Sequence, residues 1–279
     1  MKDYFEHPDW FRGNIHCHST RSDGAKEPEE VFAWYQQEGY DFIALTDHER
    51  FYPGGQYENM LIIPGIEEAY HIVGLGMESF PAKIDRSSRQ EVIDAIIAWG
   101  GVAILAHPYW LGLTDQDISV CTKVTALEVY NAVCDFTIAR GYSGVHWDNQ
   151  LGQSNYLNGV AVDDAHWHHA GEGGGFVMVN APKLTVQCIL DALKLGSYFS
   201  TQGPLFKQIT LSEEGEVLAS FSRVMRVDII SNSSSGQVIQ SEAGIEQVTY
   251  KMGPHQRYIR LQITDFTGKM AWSNPILPF

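Results

Sequence analysis

The sequence is poor in basic residues and lacks a long apolar run. Its 19 lysines and arginines are outnumbered by 34 aspartates and glutamates, which gives a formal net charge of −15. This balance argues against a nucleic-acid surface, because phosphate contacts need clustered Lys and Arg. No stretch approaches the roughly 20 apolar residues that span a bilayer, and Met1 to Trp10 contains no apolar signal-peptide core. We expect a cytoplasmic protein with no membrane partner, or an exported one whose leader was removed.

Several catalytic and redox motifs are also missing. The four cysteines (Cys17, Cys121, Cys134 and Cys188) form no C-x-x-C pair, which favours a reduced intracellular protein. No G-x-S-x-G elbow is present, and Gly171-Glu-Gly-Gly-Gly lacks the Lys-Ser/Thr ending of a P-loop. At 279 residues and 44% hydrophobic content, the chain suits one large globular domain or one domain with an appendage.

The sequence contains a set of histidines and carboxylates that are candidate metal ligands. The nine candidates are His16, His18, Asp23, His48, Glu67, His71, His107, Asp164 and His166. Imidazoles mixed with a few carboxylates favour zinc, manganese or iron over calcium or magnesium. If ions are bound, part of the acidic excess belongs to these ligands.

The ligands follow a pattern of alternating strands and helices. The predicted strands are Gly13–Cys17, Phe42–Thr46, Leu61–Glu67, His71–Leu75, Val102–Ala106, Ala126–Tyr130 and Gly159–Val162, and the predicted helices begin near Pro28, Arg89 and Thr185 and end near Gly39, Trp99 and Leu195. This alternation predicts parallel βαβ units. The ligands lie at or just after the strand ends, where the active sites of α/β barrels assemble.

After Gly203-Pro204 the pattern changes to short alternating strands. The predicted strands here are Phe206–Leu211, Val224–Ser231, Gln237–Gln240, Gln247–Lys251 and the alternating run around Ile259 to Ile263. We therefore predict a metal-binding domain at residues 1–205 and a small antiparallel, sandwich-like β domain at residues 206–279. The second domain carries none of the nine ligands.

Spacing supports the metal interpretation more than any single residue does. His16 and His18 are two apart on a predicted strand and face the same side, and Asp164 and His166 repeat that relation. Packed or surface histidines explain most isolated H-x-H pairs, so the second pair matters. His107, which precedes Pro108, is by itself explained equally well as a metal ligand or as a core histidine hydrogen-bonded to a backbone carbonyl. Glu67 ends an apolar strand and must be paired, solvated or metal-bound.

The residues of these segments and their order along the chain resemble those of the PHP family of polymerase and histidinol-phosphatase domains. The resemblance rests on Arg12-Gly-Asn-Ile-His-Cys-His-Ser-Thr, Arg21-Ser-Asp-Gly, Tyr40-Asp-Phe-Ile-Ala-Leu-Thr-Asp-His, Ile104-Leu-Ala-His-Pro and Asp164-Ala-His, and it covers residues 12–205. It implies an α/β fold, namely a distorted (β/α)7 barrel with two or three divalent metal ions at the carboxyl-terminal mouth. Leu195-Gly-Ser-Tyr-Phe-Ser-Thr-Gln-Gly-Pro and Ala271-Trp-Ser-Asn-Pro-Ile resemble the branch that includes carbamate hydrolases.

The resemblance also implies a grouping of the ligands. His16, His18, Glu67 and Asp164 would hold one ion; Glu67 would bridge to a second, held also by His71 and His107; Asp23, His48 and His166 would hold a third. His71 is less secure because its hairpin is short for the family. Asp163 is the alternative to its neighbour Asp164. Asp47 is expected to orient a ligand imidazole.

These observations predict a metal-dependent hydrolase acting on a small-molecule substrate. Two ions that share Glu67 would activate a bridging hydroxide for attack on phosphorus or a carbonyl carbon. A third ion favours phosphoester hydrolysis, with carbamate, amide or ester hydrolysis as the alternative. Arg21 and Arg50 flank ligand motifs and are candidates to clamp an anionic substrate, although solvated surface arginines explain them as well. The alternative from another class is a non-catalytic binding module that metal ions hold together. The sequence leaves the oligomeric state open.

Overall fold

The chain folds into two mixed β-sheets with short helices between their strands. The computed structural model describes residues 1–278. The strands are β1 (Lys2–Asp3), β2 (Trp10–Asn14), β3 (Phe42–Ala44), β4 (Gly55–Tyr57), β5 (Met60–Ile63), β6 (Gly65–Glu68), β7 (Ile72–Leu75), β8 (Val102–Leu105), β9 (Val124–Asn131), β10 (Asn158–Val162), β11 (Phe176–Asn180), β12 (Tyr198–Thr201), β13 (Phe206–Leu211), β14 (Glu216–Ser231), β15 (Gly236–Lys251), β16 (Ile259–Thr264) and β17 (Met270–Ser273).

Seven α-helices occur in residues 1–278. They are α1 (Pro28–Gln37), α2 (Arg89–Ala98), α3 (Pro108–Leu111), α4 (Asp115–Ser119), α5 (Ala132–Ile138), α6 (Gly144–Gly152) and α7 (Val186–Leu195). The three predicted helices are confirmed as α1, α2 and α7. α1 begins at a proline behind a capping box of Glu27 and Glu30, and α7 ends at Gly196, whose φ of +75° suits glycine.

The larger sheet runs in the order β1-β13-β14-β16-β17-β12-β11-β2-β3-β5-β4, with β15 paired to β14. The smaller sheet runs β10-β9-β8-β7-β6. Parallel bridges between Cys17 and Ala165 and between His48 and Glu67 join the two sheets just past the ends of their strands. The predicted α/β class is confirmed, whereas the seven-stranded barrel stays a prediction.

One apolar core is shared by both sheets. Phe42 and Val177 from the larger sheet pack in the same buried cluster as Val73 and Ile104 from the smaller one. Helix α7 adds its apolar stripe, including Leu190, to this cluster. The core therefore fixes the strand ends of both sheets relative to each other, which is what a site built from both sheets requires.

Three predicted strand boundaries are wrong for identifiable reasons. The predicted strand Leu61–Glu67 is two strands, because the chain passes from the larger to the smaller sheet at Pro64, which has no N–H to donate. Gly13–Cys17 ends as a strand at Asn14, and Phe42–Thr46 ends at Ala44. The ladders stop early because the chain there turns toward the cluster of histidines described below.

The carboxyl-terminal strands extend the larger sheet. The predicted segments Gln237–Gln240 and Gln247–Lys251 are parts of the single strand β15, and Val224–Ser231 is the second half of β14. β17 pairs with β12 through Phe199 opposite Ser273, so hydrogen bonding continues from residues 206–278 into the first part of the chain. The antiparallel arrangement is confirmed, and a division at residue 205 stays a prediction. No helix within residues 1–278 has the length and apolar character to cross a membrane.

A buried ion pair also joins the two parts. Arg260 on β16 is 2% exposed and donates to both carboxylate oxygens of Asp148 on α6, each at 2.7 Å. Removal of one partner leaves a buried charge without compensation, which costs about 3–5 kcal/mol when both partners are buried. Asp148 is partly open to solvent, so the expected cost is lower.

We expect Asp148→Ala to lower the free energy of unfolding by about 2–3 kcal/mol, measured by urea denaturation. The control is Lys123→Ala, which removes an exposed pair of the same length, 2.7 Å, with Asp94. That control should cost less than about 1 kcal/mol. Equal effects of the two substitutions would contradict a special role for the Arg260 pair.

Candidate metal centre

Four donor atoms converge where the two sheets meet. His16 Nε2 lies 3.1 Å from Glu67 Oε2 and 3.1 Å from Asp164 Oδ1. His18 Nε2 lies 3.2 Å from the same glutamate oxygen, 3.0 Å from the same aspartate oxygen and 3.2 Å from His16 Nε2. All four residues are buried. Donors of a tetrahedral ion with bonds of about 2.1 Å lie about 3.4 Å apart, so this spacing is close to that around a zinc-sized ion.

A second group also includes Glu67, with contacts to both of its carboxylate oxygens. His71 Nδ1 lies 2.8 Å from Glu67 Oε1, and His48 Nδ1 lies 3.1 Å from Glu67 Oε2. The short hairpin reaches this position because Tyr70 and His71 both adopt left-handed backbone conformations, with φ of 62° and 57°. Left-handed φ at residues other than glycine costs about 1–3 kcal/mol and clusters at functional sites.

A third group lies at the open side. Asp23 Oδ2 is 3.5 Å from His48 Nε2 and 3.5 Å from His166 Nε2, and Asp23 Oδ1 is 3.6 Å from His18 Nδ1. The Asp23 side chain is 53% exposed. The three sets of donors thus overlap at Glu67, His18 and His48.

His107 lies beside these groups and not within one of them. Its Nε2 is 3.5 Å from Glu67 Oε1 and 3.9 Å from Asp164 Oδ2. The family resemblance assigned His107 to the second ion together with Glu67 and His71. In the structure the third member of that group is His48. His107 has a φ of 29° and its Nδ1 is buried with no hydrogen-bond partner within residues 1–278.

The choice between adjacent aspartates is clear in the geometry. Asp164 (φ 55°) points to the histidines, whereas Asp163 accepts hydrogen bonds from the N–H groups of Gly173 and Gly175 and from the Tyr35 hydroxyl. Asp163 therefore ties the glycine-rich loop to the fold, and burial raises its pKa to about 7.

Glu128 and Asn131 contact the candidate ligands and were not predicted from the sequence. Glu128 Oε1 lies 2.6 Å from His16 Nδ1, and its Oε2 accepts a hydrogen bond from the main-chain N–H of His107 at 2.9 Å. Asn131 donates to both Glu128 and Asp164, at 2.9 and 3.0 Å. A carboxylate on the far nitrogen of a ligand imidazole fixes its tautomer and orientation. The available signal was a glutamate inside the apolar strand around Ala126 to Tyr130.

Three other candidates lie away from the donor atoms. Asp47 accepts hydrogen bonds from Ser19 and Ser22, and Ser22 Oγ is 3.4 Å from His18 Nδ1, so Asp47 reaches an imidazole only through a serine. Arg21 is exposed and donates to the carbonyl of Phe51 at 3.1 Å. Arg50 is exposed as well, and neither arginine lines the cavity described next.

The donors open onto a cavity of about 480 Å³. His48, His71 and His166 present 35%, 33% and 21% of their side-chain surface, whereas His16 and His18 are fully buried. Beyond the candidate ligands, the walls are Trp110, Val133, Cys134, Thr137, His168 and His169. Within residues 1–278 no lysine or arginine lines this cavity.

The electrostatics of the metal-free cluster keep its carboxylates ionised. Burial alone would lower the pKa of His18, but hydrogen bonds and charge from Asp164 and Glu67 raise it to about 9. Asp164, Glu128 and Glu67 likewise outweigh burial and raise the pKa of His16. Burial would raise the pKa of Glu67, yet the histidines hold it well below the usual range. Burial lowers the pKa of His48 and His166 nearer the opening.

The residues present fit divalent ions. Nitrogen and carboxylate donors of the correct type are buried together, their spacing is that of a coordination shell, and Glu128 supplies the outer partner that ligand histidines usually have. The open side leaves room for water or a substrate, unlike a closed structural zinc site.

Comparison with known proteins identifies similar folds. No family model and no curated protein matches the chain. A two-domain protein from Bacteroides vulgatus, containing a predicted PHP-like metal-dependent phosphoesterase, aligns over 96% of this chain and 95% of its own, with a TM-score of 0.57 and 12% identity. A looser match is a protein from Bifidobacterium adolescentis described as a metal-dependent phosphoesterase, with a TM-score of 0.39 and 15% identity over 58% of this chain and 89% of its own. Another is an amidohydrolase from Chromobacterium violaceum with bound sulfate, with a TM-score of 0.42 and 17% identity over 55% of this chain and 87% of its own. The first match shows that the fold of this chain is like that of the two-domain Bacteroides vulgatus protein over almost its whole length.

Glu128→Gln should weaken metal binding by about 10–100-fold, because the amide cannot enforce the His16 tautomer as a carboxylate does. The measurement is titration of manganese into the metal-free protein by calorimetry. Asp135→Asn is the control, since Asp135 is a partly buried carboxylate nearby on α5 with no contact to a candidate ligand. Unchanged affinity in Glu128→Gln would contradict the orienting role.

Metal uptake should release protons at neutral pH. Neighbouring carboxylates raise the pKa of His18 to about 9 and raise that of His16 as well, so both imidazoles hold protons more tightly and must lose them to bind an ion. The apparent affinity should therefore fall as the pH decreases from about 9 to 6. Calorimetry in buffers of different ionisation enthalpy measures the release. No release at pH 7 would show that these histidines are already neutral.

Proposed function

We propose that the protein is a PHP-type metal-dependent hydrolase whose reaction is phosphoester hydrolysis. The observation that carries this proposal is the overlap of three donor groups at Glu67, His18 and His48, beside an open cavity. A carboxylate shared by two ions, as Glu67 would be, places those ions close together, as in multi-metal hydrolases. A structural metal site would be closed, and its ligands would not line a cavity.

The charge of the site favours a phosphate. Four carboxylates lie at the site, the candidate ligands Asp23, Glu67 and Asp164 and the outer partner Glu128, whereas three divalent ions would bring six positive charges. The surplus would neutralise a phosphate dianion without a cationic side chain, and none lines the cavity within the described residues. The fold likeness to the Bacteroides vulgatus protein, which is described as phosphoesterase-like, is consistent with this choice.

The chain's own residues position the reaction. Divalent ions held here would polarise phosphoryl oxygens and lower the pKa of a water molecule. Glu67 contacts His16 and His18 of the first group through Oε2 and His71 of the second group through Oε1, while His48 also lies near Oε2. Glu128 and Asn131 hold His16 and Asp164 from behind. His48 and His166 face the cavity, where the substrate enters, and their lowered pKa keeps them neutral and able to bind an ion.

Hydrolysis of an ester, amide or carbamate is the second candidate. The first two donor groups, which share only Glu67, suffice for attack on a carbonyl carbon, and a neutral substrate needs no cationic wall. The choice depends on whether the third group, at the exposed Asp23, is filled during turnover.

The manganese- or zinc-loaded protein should release phosphate from 4-nitrophenyl phosphate faster than it cleaves the corresponding acetate or carbamate. Glu67→Gln should reduce that activity by more than about 100-fold, the upper end of the effect for an outer partner of a ligand. The matched control is Glu68→Gln, which removes the adjacent carboxylate; Glu68 pairs with Arg86 at 2.8 Å and joins none of the donor groups. The control should lose stability and keep its metal and activity.

Cleavage of only the carbonyl substrates would move the function to the second candidate. Full metal occupancy without turnover of any substrate would support a non-catalytic module instead. Equal loss of activity in Glu67→Gln and Glu68→Gln would contradict the bridging role of Glu67.

A further inference from the structure

One wall of the cavity is apolar and aromatic. Trp110 on α3 is 39% exposed, and its ring centroid lies 5.0 Å from that of His107 and 5.5 Å from that of His71, both edge to face. The indole is therefore held against the metal centre by one part of its surface, while the rest lines the cavity. Helix α3 is short and lies between the left-handed residues His107 and Gly112.

Helix α5 contributes the remainder of that wall. Val133, Cys134 and Thr137 face the cavity, as residues one turn apart on a helix do. The Thr137 hydroxyl donates to the carbonyl of Val133 at 2.6 Å, so the hydroxyl is already paired within the helix. This wall can bury an apolar group and has no cation to receive a second anion.

The charge around the opening also favours an uncharged group over a second anion. Asp23 places a carboxylate at the mouth with 53% of its side chain exposed, and the chain as a whole carries −15. An anionic group that binds the metal centre is compensated by the ions. A second anionic group on the same molecule would lie beside Trp110 and α5 or near Asp23, where no lysine or arginine of the described chain lines the cavity.

The volume leaves room for an organic group. Sites for small organic molecules measure about 300–1,000 Å³, and this cavity measures about 480 Å³. A planar group extending from the metal centre toward α5 would meet the Trp110 ring, and aromatic surfaces favour stacked or edge-to-face contact with such groups.

We propose that the substrate carries one metal-binding anionic group attached to an uncharged planar or apolar group, which Trp110 and the α5 wall bind. Trp110 is then the residue that determines specificity. This inference rests on the proposed function for the site but concerns the non-reacting part of the substrate. Substrates with two separated anionic groups, such as bisphosphates, are disfavoured.

The experiment measures binding with phosphonates, which are not hydrolysed, so its result does not depend on turnover. Methylphosphonate, phenylphosphonate and 4-phosphonobenzoate are titrated into the manganese-loaded full chain by calorimetry. We expect phenylphosphonate to bind at least about tenfold more tightly than methylphosphonate, since stacking and apolar burial add to the metal contact. The added carboxylate of 4-phosphonobenzoate should remove most of that gain.

Variants assign the effect to this wall. Trp110→Ala should reduce the preference for the phenyl group to about twofold, Trp110→Phe should keep most of it, and metal content is measured in each because Trp110 packs on His71 and His107. Trp99→Ala is the matched control; Trp99 is 46% exposed at the end of α2 and does not line the cavity. Thr137→Lys should reverse the order of the two aryl probes, because it adds the missing cation.

Equal binding of methyl- and phenylphosphonate, tighter binding of 4-phosphonobenzoate by the native protein, or retention of the phenyl preference in Trp110→Ala would overturn the inference. If phosphoesters are hydrolysed without this preference, the proposed function stands and the inference fails. If the preference appears in binding but no phosphoester is hydrolysed, the inference stands and the phosphoesterase proposal fails.

Discussion

Burial of three carboxylates at one point is the constraint on which the site depends. Glu67, Glu128 and Asp164 are each at most 3% exposed and lie around the same histidines. Ionised carboxylates in an apolar interior are tolerated only when positive charge and hydrogen bonds compensate them. In the metal-free protein, protons on His16 and His18 supply part of that charge, and divalent ions would supply it more completely.

The rest of the fold serves to keep these groups together. Glu67 and Glu128 come from the smaller sheet, whereas His16 and His18 follow a strand of the larger one. The shared core fixes both sheets, and the bridges Cys17–Ala165 and His48–Glu67 join them beside the donors. Left-handed backbone at His71, His107 and Asp164 turns these side chains inward at an energetic cost. Left-handed residues also occur away from the site, for example Lys123 and Ser154, so what distinguishes these three is that their side chains carry candidate donor atoms.

Much of the candidate site was predictable from sequence because its residues end apolar runs. His16, His18, Glu67 and Asp164 were grouped from the family resemblance, and the structure brings their donor atoms within 3.2 Å of their neighbours. Glu128 was missed because it lies inside a strand, where the pattern indicates only burial. The distinction between a buried acid that faces a helix and one that faces the site requires the register of both sheets.

The direction of long side chains could not be predicted from the sequence either. Arg21 follows a ligand motif, but its guanidinium is drawn to the Phe51 carbonyl and lies over the Tyr52 ring, 5.2 Å from the ring centroid. The break at Pro64 was visible as a residue, yet the move from one sheet to the other is a tertiary event. The edge-to-face contacts of Trp110 with His71 and His107 likewise depend on the tertiary fold and leave no pattern in the sequence.

Anomalous diffraction from manganese-soaked crystals would locate the bound ions most directly. We expect an ion among His16, His18, Glu67 and Asp164 and at least one more that shares Glu67, with the cavity open to both. Ions bound only elsewhere on the acidic surface, or one ion enclosed by protein ligands with no access from the cavity, would contradict this expectation.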